Sequence, residues 1–146
     1  MQLPTNITGV AQVIQLAVAP VFLLTGVGAI LAVLVNRLGR VVDRFRTLER
    51  DLPSRDADTL GPHETEMAIL SLRARMIHWA IGLCTGCALL VCIVIATLFV
   101  GSLTGVDISG IIAALFITAM LSLVSGLLCF LREIALATGG IHVVPR

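Results

Sequence analysis

The residues of this chain with chemistry to offer are two closely spaced cysteines, a histidine beside glutamates, and an arginine next to a glutamate at the end of an apolar run. Cys84 and Cys87 form a C-x-x-C, a spacing that serves thiol exchange or half of a zinc site when a second pair or an electropositive surface stands nearby. Here no such neighbour exists, and Cys84, Cys87, Cys92 and Cys129 all fall inside long apolar runs, where a thiol behaves as a small hydrophobe. All four are expected to be packing residues. His63 with Glu64 and Glu66 brings ligand types together, but adjacent helical positions diverge around the axis, so they do not converge on one ion. His78 beside Trp79 has the character of an anchor at a membrane surface. Arg132 and Glu133 follow an apolar run and read as its stop signal, a pair that stays wet, with partnering to an arginine between the first two apolar runs, just after the first, also open. No nucleophile with a neighbouring base, phosphate loop or paired intramembrane carboxylates occurs, so the expectation is a protein that is not an enzyme, with no catalytic, cofactor-binding or metal site.

The elements that carry these residues are set by composition. Of 146 residues 58% are hydrophobic and 13% are charged, about half the charge of a typical soluble domain, ~25%. Uncharged runs extend over residues 7–35, 76–106 and 108–131, each longer than the ~20 helical residues that cross a bilayer core. The expected fold is an all-α integral membrane protein, one membrane domain over residues 1–146. Its three transmembrane helices span about 10–36, 76–103 and 108–131, with a cytoplasmic helical hairpin at about 37–75. Basic residues follow the first run instead of preceding it, which argues against a cleaved signal peptide. Every basic residue is arginine, and with three spans all ten lie on one side, which the positive-inside rule makes cytoplasmic. The expected orientation is therefore N-terminus outside and C-terminus in the cytoplasm. The net charge of +1 offers nothing to nucleic acid.

Within the hairpin, Leu38, Val41, Phe45, Leu48 and Leu52 recur at helical spacing up to Pro53, predicting a first arm that continues the first span. A loop rich in Asp, Ser and Gly follows. Pro62 opens a second arm, with Glu64 and Glu66 in its first turn and Met67, Leu70, Ala74 and Ile77 as its apolar stripe.

The runs Ile14 to Ala17, Ala19 to Gly26, Asn36 to Leu38, Arg40 to Arg44, and Leu48 with Glu49 resemble a bacterial membrane family known only as domain of unknown function 2721. The resemblance covers nearly the whole chain and is most specific in the first span and first arm. It implies three passes and a bacterial source, so the expected location is the bacterial inner membrane. It implies no activity, ligand or catalytic residue.

Packing signals are stronger than chemical ones. Gly82 and Gly86 form a G-x-x-x-G, and Gly110, Ala114, Thr118, Ser122 and Gly126 set a small residue at every fourth position of the third span, ridges through which helices approach closely in lipid. More small faces than one monomer needs point to a homo-oligomer embedded in the lipid bilayer. Along the first span, Gln12, Gln15, Ala19, Phe22, Gly26, Ala29, Val33, Asn36, Arg40 and Asp43 form one face, polar at both ends and small or apolar between. That face fits the lining of an oligomer axis with a constriction near Phe22, an ion channel or pore, or equally an intramolecular packing seam with both glutamines at the outer interface. The alternative function is a non-conducting scaffold whose cytoplasmic hairpin binds a protein partner. A carrier would need inverted repeats or a broken helix pair, and neither is found.

Overall fold

The computed structural model describes residues 5–51, 60–104 and 107–139 of the chain. They form three α-helices and, among the described residues, no strand: α1 (Thr5–Asp51), α2 (Leu60–Thr104) and α3 (Ser109–Gly139). All three are long and apolar enough to cross a membrane. Their outward side chains include Trp79, Leu103 and Leu121, large apolar groups more than half exposed on the isolated chain, as lipid-facing residues must be. The chain is a multi-pass membrane protein.

The expected continuation of the first span into the first arm is present, since α1 runs unbroken for 47 residues through Pro20 to Asp51. The second arm behaves alike: α2 passes without interruption from Leu60 to Thr104, with Pro62 in its first turn, where a missing N–H costs nothing. The loop expected between the arms falls mostly on residues 52–59, outside the described residues, as do Leu52, Pro53 and His142.

Helix burial follows a seven-residue rhythm. On α1 the inward positions are Val13, Pro20, Val27, Leu34, Val41 and Leu48, and on α2 they are Leu70, Ile77, Cys84 and Val91 with the neighbouring column Ala80, Cys87 and Val94. A strict heptad keeps one face on its neighbours only when helices wind slightly about each other, the left-handed geometry of coiled coils. The apolar stripes read for the two arms, Leu38 to Leu48 and Met67 to Ile77, are the buried or half-buried ones.

The chain forms two compact units, one of residues 1–31 and 83–124, the other of residues 32–82 and 125–146. In the first unit α2 and α3 approach at Gly86, where an added Cβ would lie 3.7 Å from Ser122 Oγ. Ser122 Oγ donates a hydrogen bond of 2.8 Å to the Leu83 carbonyl. Other hydroxyls turn back on their own helix: Thr25 to Val21, Thr97 to Ile93 and Thr118 to Ala114, which satisfies them without water. At the start of α3, Asp107 Oδ1 accepts from the Ser109 backbone N–H at 3.1 Å and from the Ser109 hydroxyl at 2.7 Å. These two hydrogen bonds hold its carboxyl below the usual carboxylate range.

Candidate functional site: a buried glutamate clamped by two arginines

In the second unit the heptad rhythm carries a charge inside. Ala119, Gly126 and Glu133 follow one another at seven-residue steps on α3, and all three are buried. Arg73 opens the α2 column that continues as Ala80, Cys87 and Val94, and it lies between buried Leu70 and Ile77. Arg37 lies between buried Leu34 and Val41 on α1. Register alone therefore turns one acid and two bases from three helices toward a common centre.

There the Glu133 carboxylate, with its side chain 1% exposed, is held from both sides. Its Oε2 accepts from Arg37 Nη1 at 2.6 Å, and its Oε1 accepts from Arg73 Nε at 3.2 Å and Nη2 at 2.9 Å. The Arg37 guanidinium also lies 5.4 Å from the centre of the Phe130 ring, one helical turn before Glu133 on α3. Burying a carboxylate is costly, and the cost is met only when its lone pairs are filled and its charge is opposed, as they are here. Among the described residues no buried side-chain nitrogen or oxygen lacks a partner. The clamp joins one residue of each helix, so it fixes α1, α2 and α3 of this unit in register.

Beyond the clamp, Arg44 Nη2 and Nε reach Glu66 Oε1 at 2.9 and 3.2 Å, joining the two arms through exposed groups. Such a surface pair contributes little, ~0–1 kcal/mol. Between the arms, Val41, Phe45, Leu70 and Ala74 line a small apolar groove.

Two sequence expectations change. The arginine–glutamate pair at the end of the third span does not stay wet: Arg132 is exposed but Glu133 is wholly buried, because the two positions are about 100° apart around the helix. The open alternative, a partner from the first arm, is realised in Arg37, while Arg73 was missed. Its signal was available, since counting back by seven from Cys87 through Ala80 lands on Arg73. Among the cysteines, Cys84 and Cys87 pack inside as expected, but Cys92 is exposed.

The residues proposed to line an axis are exposed on the isolated chain, and Arg40 among them also borders the cleft that holds Arg37, Arg73 and Glu133. Gln12, Gln15, Ala19, Phe22, Gly26, Ala29, Val33, Asn36, Arg40 and Asp43 are each exposed, one or two positions away from the buried column. The competing idea that this face is an intramolecular seam is thereby overturned, because the seam is Val13 through Leu48 instead. The small residues divide. Gly86, Ser122 and Gly126 turn toward neighbours within the chain, whereas Gly82, Gly110, Ala114 and Thr118 are exposed. His78 and Trp79 are exposed as well.

A family model described as a protein of unknown function, DUF2721, matches residues 17–143. No curated protein and no solved structure matches the chain.

Proposed function

The chain therefore belongs to the DUF2721 family, and we propose that it is a subunit of a homo-oligomer in the bacterial inner membrane, with an ion-conducting path along the outer face of α1. The observation that carries this reading is the exposure of all ten residues from Gln12 to Asp43 on a helix whose opposite face is fully used. Within hydrocarbon, polar side chains such as Gln12 and Gln15 gain from a second copy or from water, and an axis between copies supplies both. Phe22 and Val33, each more than half exposed on the same face, would narrow such a path by excluding water. The one-sided arginines orient the subunit with its N-terminus outside and its C-terminus in the cytoplasm. The arms then project into the cytoplasm, and the Glu133 clamp holds α1 against α2 and α3 at their base.

Liposomes containing the purified protein should pass ions, and Gln15→Leu or Asn36→Leu should reduce the flux. Absence of flux at every pH, voltage and calcium level tried would refute the path. A second reading, a scaffold without conduction, is favoured by the exposed Arg46, Glu49 and Arg50 on the first arm, which offer a charged surface to a cytoplasmic protein. It predicts that charge reversal at these three residues abolishes function while Gln15→Leu does not.

A further inference from the structure

The second unit holds an open cleft of about 270 Å³ whose walls are Arg37, Arg40, Arg73 and Glu133 with Val41 and Leu70. Three guanidinium groups there meet one carboxylate, an excess of two positive charges. The carboxylate is fully engaged by Arg37 and Arg73, while Arg40 is exposed and forms no ion pair among the described residues. The cleft therefore has an unbalanced positive field with spare N–H donors, in a space large enough for a phosphate and its ester carbons.

The sequence also fixes its depth. Arg37 is the first charge after the uncharged run of α1, Arg73 is one of the last two charges before that of α2, and Glu133 follows that of α3 directly after Arg132. Each wall charge stands where its helix passes from apolar to charged sequence, which in a bilayer is the headgroup layer. Phosphate is the anion of that layer, and the planar guanidinium fork matches its oxygens in pairs. We infer that this cleft binds a phosphate group of net negative charge. An anionic phospholipid headgroup and a free phosphate ion share that chemistry, and the inference needs neither the oligomer nor the conducting path.

Calorimetric titration of the purified protein in mild detergent tests it, using dihexanoyl phosphatidylglycerol, dihexanoyl phosphatidylcholine and inorganic phosphate in separate runs. Phosphatidylglycerol should bind more tightly than phosphatidylcholine. Arg40→Ala should weaken it about fivefold, the contribution of one basic residue near an anionic surface. Arg46→Ala, on the arm outside the cleft, should leave it unchanged. Binding of inorganic phosphate with the same dependence on Arg40, but not of phosphatidylglycerol, would support the chemistry and assign a soluble ion as its source. Equal binding of both lipids with no phosphate binding would overturn the inference, as would an Arg40→Ala protein that matches wild type with every probe. Should Arg40→Ala fail to fold, Arg40→Gln, which keeps the stem and removes the charge, carries the same expectation.

Discussion

Replacing Glu133 by glutamine probes the clamp with almost no change in shape. The carboxylate accepts two hydrogen bonds from Arg73 on one oxygen and one from Arg37 on the other. Glutamine keeps one acceptor and presents an N–H₂ group to the remaining guanidinium, donor against donor. It also leaves two partly buried cations without a counter-charge. Removing one partner of a buried ion pair costs about 3–5 kcal/mol, and the arginines, with side chains 27% and 23% exposed, can recover some hydration. The expected loss is therefore near the lower limit, about 3 kcal/mol, roughly a hundredfold in the folding equilibrium. Unfolding by added SDS in mixed micelles, followed by circular dichroism and by the fluorescence of Trp79, the single tryptophan, reads this loss directly. Arg132→Gln, at the exposed neighbouring position, is the control and should change stability by no more than about 0.5 kcal/mol. Replacing Glu133, Arg37 and Arg73 together by methionine should recover most of the loss, because no charge is then left to desolvate. If Glu133→Gln unfolds at the same SDS fraction as Arg132→Gln, the buried clamp is not what holds this unit.

The contact at Gly86 predicts that Gly86→Leu presses on Ser122 and its hydrogen bond to Leu83, costing about 1–3 kcal/mol in the same assay, while Gly82→Leu, with nothing within 4 Å of its Cβ, does not destabilise the single chain. A lower particle mass for Gly82→Leu in mild detergent would then report an interface between copies. Ser122→Ala should cost about 0.6 kcal/mol, the usual worth of an interhelical hydrogen bond in lipid. At the start of α3, Asp107→Ala should speed amide exchange at the first turn, and Asp107→Asn, which keeps the acceptor oxygen, should do so less. Because the folded-state pKa of Asp107 is depressed, its contribution is complete above the ordinary carboxylate pKa and is lost as pH falls through the lower folded value. Protection of the Ser109 amide relative to its intrinsic exchange rate at each pH should therefore fall only in acid.

Much of the fold could be read from residue spacing, because heptad-spaced apolar residues make their own case. The inward stripes of both arms, the continuation of the first span and the packing role of Cys84 and Cys87 all follow from period and polarity. The ridge on α3 shows where spacing misleads. Steps of four advance a helix by about 40° beyond a full turn, so Gly110 and Gly126 lie on nearly opposite faces, and only Ser122 and Gly126 reach the interior. Glu133 was misread for a different reason. A charge at the end of a span is ordinarily hydrated, and one helix considered alone gives no hint that two arginines, 96 and 60 positions away in sequence, face the same point. Its seven-residue spacing from Gly126 and Ala119 is the signal in the sequence that places it inside.

The conducting path is tested most directly by current across liposomes bearing Ala29→Cys protein in which the four native cysteines are alanine, recorded before and after a charged thiol reagent that cannot cross the bilayer. Ala29 lies midway along the outer face of α1, and Leu89, 63% exposed on α2, serves as the comparison site. The current should fall when the cysteine at position 29 is modified and should be unaffected by the same reagent on Leu89→Cys. Absence of current, or equal indifference of both variants to the reagent, would contradict it.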